Sequence, residues 1–318
     1  MVRIGGIVVV LAVVQVLVAW LLLDVFHANQ PHEVPVALIG SGPPVAGMVG
    51  ALEQDGVFEV KRAKSGLEAR KLIGEREVYG AYAPLAGAGR VLVAGAASPD
   101  VADLLRTTAR GIDAKRDVKT IPSDIRPLPA ADRAGLSGFV LTIVAALIGV
   151  LAGWGLEAAA PSVRRGWKKT LLRIGVLALL SLGTGALLAL VATQLDLYKG
   201  HFPEVGGALA LATFGAATVS AFLTSLTGAI VGGVLGLGVF VAVSAVATSG
   251  GASAPELLPE LWTTIGSGLP GQSSVELIRN LVYFDNEAIE MPLAILGAFA
   301  LGGALLMVVL SPFRRLPS

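Results

Sequence analysis

The sequence predicts a polytopic α-helical membrane protein with six transmembrane helices, one plus five, and an extracytoplasmic α/β domain inserted after the first. Three observations carry this. The 318 residues are 54% hydrophobic and only 15% charged, where soluble domains carry about 25% charge. Six apolar runs approach the roughly 20 residues needed to cross a ~30 Å hydrocarbon core. The basic residues are shared unevenly between the connecting segments.

The first run is Ile4 to Leu23, with Gln15 its single polar residue. A cleaved signal peptide would have a core of about 7–15 residues and a small-x-small cleavage site. Asp24-Val25-Phe26-His27 follows instead, so the run reads as an uncleaved anchor. The others are Leu136–Leu156, Thr170–Thr193, Val205–Ser225, Thr227–Ala247 and Pro292–Leu310. As one helix, Val205 to Ala247 would measure about 64 Å at 1.5 Å per residue, twice a bilayer core. A tight hairpin is therefore expected at Thr224 to Gly228. The chain divides into a first span (1–23), an α/β domain with its connector (24–135), spans two to five (136–247), an outer segment (248–291), and a sixth span with its tail (292–318).

Orientation follows from Lys and Arg. The segments on one side hold Arg3, Arg164, Arg165, Lys168, Lys169, Arg173, Arg314 and Arg315, and the short loops on the other side hold only Lys199 and Arg279. Both termini are thus expected in the cytoplasm and residues 24–135 outside.

Within 33–135 the expected order is β-α-β-α-β-β-α. Val34–Ile39 is a strand, Pro44–Gln54 a helix and Val57–Val60 a second strand. Ser65 caps a second helix, with Glu68 at capping-box spacing. Val78–Pro84 and Arg90–Ala97 are strands around a Gly87-Ala88-Gly89 hairpin. Ser98-Pro99-Asp100 opens a helix to about Arg110. Lys115 to Asp132 reads as a connector.

The sequence excludes several kinds of chemistry. There is no cysteine, so disulfides and thiolate sites are absent, and a net charge of +1 does not suit a nucleic-acid binder. His27, His32 and Glu33 match no metal-ligand spacing, and His201 stands alone. Gly40-Ser41-Gly42 begins no complete phosphate loop. No catalytic residue, metal or cofactor is expected. Only Arg173 is charged within the spans, which argues against ion-coupled transport.

Small residues four apart permit close helix approach: Gly149 and Gly153, then Gly228, Gly232 and Gly236, then Ala298 and Gly302. They read as packing within one bundle, with a dimer seam as the alternative. Thr213, Thr218, Ser220 and Thr224 either line a weakly polar path or satisfy helix backbones.

Residues 248–291 are neither a polar loop nor a span. Two amphipathic pieces, one containing Pro259 and Trp262 and the other Arg279, Tyr283 and Phe284, break at Leu269-Pro270-Gly271. They either cap the bundle at the interface or re-enter it, where irregular backbone needs protein or a watery cavity around it.

This pattern (Leu258-Pro259-x-x-Trp262, Leu269-Pro270-Gly271, Leu277-x-Arg279, Tyr283-Phe284), with Glu77-Val78-Tyr79-Gly80-Ala81 and Ala97-Ser98-Pro99 outside, resembles ABC-type export permeases of the type-2 transmembrane family. The branch is that of the phage-infection-protein-like bacterial proteins, and the architecture covers nearly the whole chain. The resemblance implies a permease subunit in a bacterial cytoplasmic membrane, paired as a homodimer or heterodimer. A separate cytoplasmic ATP-binding subunit would drive lipid, glycan, peptide or drug export. It also implies that the inner loop, here Arg164, Arg165, Trp167, Lys168 and Lys169, contacts the ATPase. Positive-inside topology and anionic lipid would account for the same charges. Where the family has an amphipathic helix before the first span, this sequence has Met1-Val2-Arg3. The competing function is a membrane scaffold or receptor whose external domain binds an envelope component.

Overall fold

The computed structural model describes residues 16, 31–40, 48–50, 52–53, 56–85, 87–159, 166–244 and 254–309. The anchor expected over 4–23 therefore lies outside the described residues, apart from a helical residue 16. Five strands form one mixed sheet: β1 (Val34–Ile39), β2 (Phe58–Ala63), β3 (Gly80–Pro84), β4 (Ala88–Val93) and β5 (Lys119–Asp124). Their order is β2-β1-β3-β4-β5, with only the β3–β4 pair antiparallel.

Helix α1 (Gly66–Gly74) connects β2 to β3, and α2 (Pro99–Lys115) connects β4 to β5. Both begin as the sequence predicts. The Ser65 hydroxyl accepts from the Glu68 amide (3.2 Å) and that of Ser98 from the Val101 amide (3.3 Å), satisfying amides that lack helical partners. Helix α2 runs about one turn beyond Arg110.

The expected connector from Lys115 is corrected, because it contains β5, in parallel register with β4 from Ala88↔Lys119 to Val93↔Asp124. This is a polar edge strand with Ile121 46% exposed, so it lacks the apolar alternation that marks a half-buried strand. Pro122 is tolerated at such an edge.

The sheet is covered on both faces. One face packs Val36, Phe58, Tyr82 and Val91 against Val101 and Leu105 of α2. The other packs Ala37, Ala81 and Leu92 against Ala69 and Ile73 of α1. The Tyr82 hydroxyl donates to Asp113, a fully buried carboxylate that also accepts from Thr120 (2.7 Å) and Arg116 (3.1 Å). Burial first, then the bond to Asp113, push the Tyr82 pKa up to about 12.

Neither face is completed by residues 24–135 alone. Ala254 and Leu257 enter the first core cluster and Phe284 the second. The His32 amide also donates to the Glu256 carbonyl (3.0 Å). The α/β unit thus extends beyond the boundary expected at residue 135.

Beyond residue 136 the chain is helical. Among the described residues four helices are long and apolar enough to cross a membrane: α3 (Ser137–Ala159), α4 (Trp167–Gln194), α5 (Phe202–Thr227) and a last helix, Glu290–Val309. The fifth expected span, Thr227–Ala247, is a shorter apolar helix over Ala229–Val243. It begins as α6 (Ala229–Leu237) and continues as a π-helix over Gly238–Val243. The expected hairpin turns at Gly228 (φ +91°), a backbone conformation that favours glycine.

Helix α5 occupies the centre, and glycines set its neighbours' approach. Gly149 and Gly153 of α3 face Thr213 and Ala217, Gly185 of α4 faces Gly206 and Ala210, and Gly232 and Gly236 of α6 face Thr224 and Ser220. These registers make α3 parallel to α5, and α4 and α6 antiparallel to it. In the last helix Gly303, not the expected Gly302, meets α5 at Thr218. Gly302 faces open space, because the buried stripe runs Leu296, Ala300, Gly303, Met307.

The hydroxyls of Thr213 and Thr218 donate to their own helix's carbonyls, and Ser220 donates to Val150 of α3 (3.1 Å). These three serve the backbone, the second of the two readings above, whereas the Thr224 hydroxyl is buried without a partner among the described residues. The outer faces stay apolar: Leu172, Leu179, Leu182 and Leu187 of α4 are each more than 60% exposed. Such a contiguous surface is consistent with a membrane protein.

Candidate functional site

The segment before the last helix contains α7 (Glu260–Ser267) and α8 (Pro270–Tyr283), followed by α9 (Glu290–Val309). The break falls at Gly268-Leu269. Leu269 is extended, as a residue before proline should be, and Pro270 takes the first helical position.

Polar as it is, α8 is buried along most of its length. Its first turn sits among the long helices. Pro270, Gly271 and Ser274 line a small gap with Thr142, Ala146, Ala212 and Phe240. Ala146 and Ala212 lie about 14–15 Å along α3 and α5 from the first residue of each helix. A Cβ on Gly271 would lie 2.3 Å from that of Ser244, so only glycine fits beside the end of the π-helix. In its second half, Leu277 and Ile278 pack with Leu141, Leu209 and Leu296.

The far end of α8 belongs to the α/β unit. Phe284 is fully buried there, with Arg76 4.7 Å and Arg126 5.9 Å from its ring centroid. Arg279 donates to the carbonyls of Ala97 and Gly135 (3.4 Å each). Tyr283 packs edge-on against Tyr198, 6.4 Å between centroids. Trp262 is buried and Pro259 half-buried. The residues that the sequence singled out in this segment are therefore divided between the two ends of α8, Pro270 and Gly271 in the bundle and Arg279, Tyr283 and Phe284 where it meets the domain.

The sequence reading missed the residues between these two ends. Gln272, Glu276 and Asn280 recur every four residues, one face of α8. Gln272 Oε1 and Asn280 Oδ1 are buried without a hydrogen-bond partner among the described residues. Glu276 and Asn280 open onto a cavity of about 270 Å³ between the sheet and the bundle, with Arg76, Tyr79, Glu256 and Met291 around it. The Tyr79 hydroxyl donates to Glu256 (2.8 Å). Burial pushes the Glu276 pKa up, opposed by the charges of Arg76 and Arg279. The four-residue spacing of Gln272, Glu276 and Asn280 was the available signal.

At the opposite end of the bundle, Trp167, Lys168 and Lys169 are exposed, with Lys168 Nζ 5.7 Å from the Trp167 ring centroid. Arg164 and Arg165 lie outside the described residues. Arg173, grouped above with the basic loop, is corrected. It is buried and donates to Glu157 of α3 and to the Leu156 carbonyl (2.7 Å). Glu157 belongs to α3, which extends past the span end expected at Leu156.

Among the described residues, no group of three or more His, Asp or Glu side chains could hold a metal ion. The described residues are thus mostly helical, with four membrane-length apolar helices and a small mixed sheet, consistent with a membrane protein. No protein-family model, curated protein or solved structure matches it.

Proposed function

We propose that the chain is a permease-like transmembrane subunit of an ABC-type exporter. It would move a lipid, glycan, peptide or drug-like substrate outward, with a separate cytoplasmic ATP-binding subunit supplying the energy. The observation that carries this reading is α8. A polar helix held by its first turn among α3, α5 and the π-helix, and by its last in the α/β unit, is a re-entrant lever between an external module and a helical core. The π-helix beside its first turn supports the same reading, since such segments gather at functional positions. The basic residues Lys168 and Lys169 project at the other end, where an ATPase would dock. Two copies of the chain would enclose the path.

Two measurements test this. The chain has no cysteine, so single cysteines report topology directly. Ser98 is buried as a helix cap, but Asp103 is 78% exposed. Asp103→Cys should react with an impermeant maleimide in intact cells, and Lys168→Cys only after lysis; the reverse pattern refutes the orientation. Under gentle extraction an ATPase should co-purify, and Lys168→Ala/Lys169→Ala should reduce its recovery several-fold. If no ATPase is recovered, the reading shifts to an envelope receptor. The open cavity at the domain junction favours that second reading.

A further inference from the structure

The cavity between sheet and bundle holds charges that do not satisfy one another. On one wall the Arg76 guanidinium lies over the rings of Phe284 and Tyr79, 4.7 and 5.7 Å from their centroids. Its N–H groups have no hydrogen-bond partner among the described residues. On the other wall stand Glu276 and Asn280, one turn apart on α8. Asn280 is only 3% exposed, and its Nδ2 donates to the Ala288 carbonyl (2.8 Å). Its Oδ1 is left without a partner among the described residues. The Glu276 carboxylate accepts no hydrogen bond from them either. Arg76 and Glu276 line the same space of about 270 Å³, too far apart to form an ion pair.

A half-buried donor and a half-buried acceptor kept apart define what would fit between them. The planar guanidinium matches a phosphate. The carboxylate matches a positive group with several N–H donors, which is a primary ammonium. One small group carrying both would answer the two walls at once. The rim indicates where such a group comes from. Met291 and Pro292 open the first turn of α9, and outward from them α9 presents Met291 (70% exposed), Leu293 (40%) and Leu301 (72%). A ligand seated in the cavity would lie at the end of an apolar helix of membrane-spanning length, with greasy surface leading away from it.

We propose that this cavity binds the zwitterionic headgroup of a phosphatidylethanolamine-type lipid. Arg76 takes the phosphate, and Glu276 takes the ammonium. A phosphocholine headgroup has no N–H to offer the carboxylate, and phosphatidylglycerol has no cation. Binding here does not require transport, so its failure would leave the permease reading intact, and the absence of an ATPase would leave this one intact.

The test is native mass spectrometry of the full-length protein in detergent. The probe is an equimolar mixture of phosphatidylethanolamine, phosphatidylcholine and phosphatidylglycerol with identical acyl chains. The wild type should retain phosphatidylethanolamine at least tenfold over either competitor. Glu276→Gln keeps the shape and removes the charge, and should cut that preference to less than threefold. Arg76→Gln should lower retention of the lipid about tenfold, and it decides the matter alone if Glu276→Gln does not fold. Lys71→Gln, on an exposed face of α1, should change nothing. Equal retention of the three lipids, or a preference unchanged in both cavity variants, overturns the proposal. Full displacement of the lipid by millimolar O-phosphoethanolamine also overturns it, because the site would then belong to a soluble ligand.

Discussion

Replacing Glu157 with leucine is expected to destabilise the bundle by about 3–5 kcal/mol, the cost of removing one partner from a buried ion pair. The pair joins α3 to α4, with side-chain exposures of 1% for Glu157 and 6% for Arg173. The penalty lies less in the attraction lost than in the guanidinium left in an apolar setting without that carboxylate. The double variant Glu157→Leu/Arg173→Met should therefore be more stable than the single one by at least 2 kcal/mol, because replacing both charges with apolar groups is often neutral or better. Unfolding in mixed SDS and mild-detergent micelles measures both. Equal losses in single and double variants would mean that the pair is solvated and structurally idle.

Gly153→Ala should cost at least 1–3 kcal/mol, the range for overpacking, and Gly153→Val should prevent assembly of the bundle. The reason is backbone contact: a Cβ at Gly153 would lie 2.0 Å from the Ala217 carbonyl oxygen and 2.9 Å from the Ala221 amide nitrogen. Neither atom can rotate away, so α3 and α5 would have to separate. Gly155, two residues on, has nothing within 4 Å of such a Cβ. Gly155→Ala should be neutral or slightly stabilising, since alanine favours the helix. Melting of the two variants side by side decides this, and a harmless Gly153→Ala would refute the packing register.

These two predictions mark where the sequence was legible. Gly149, Gly153, Gly232 and Gly236 show themselves by spacing, since close approach leaves a mark on each helix separately. So do the long apolar runs, the turn at Gly228, the Ser65 and Ser98 caps and the break before Pro270. What could not be read depends on two distant segments at once. Glu157 ended an apolar run, and nothing local shows that Arg173, on another helix, is its partner. Gly302 and Gly303 differ by about 100° around one helix, and only the neighbour decides which is inside. Strand β5 escaped because an edge strand has too little buried surface to impose a pattern.

The candidate site was legible in part for the same reason. Pro270, Gly271, Arg279, Tyr283 and Phe284 stood out from a broken amphipathic pattern. Arg76 with Tyr79, Glu256 and Asn280 come from three separate stretches, and the cavity they share arises only when α8 docks on the sheet.

The core clusters that enclose Leu257 and Phe284 also set a biosynthetic clock. A ribosome adds roughly 5–20 residues per second. The module that begins near residue 31 has every strand made by Asp124, yet the ring that seals it is about 160 residues further on. For something like 8–32 s a nascent sheet must wait before both of its faces are sealed. A helper that shields it during that interval, or a pause in translation, would act on yield without touching the finished protein.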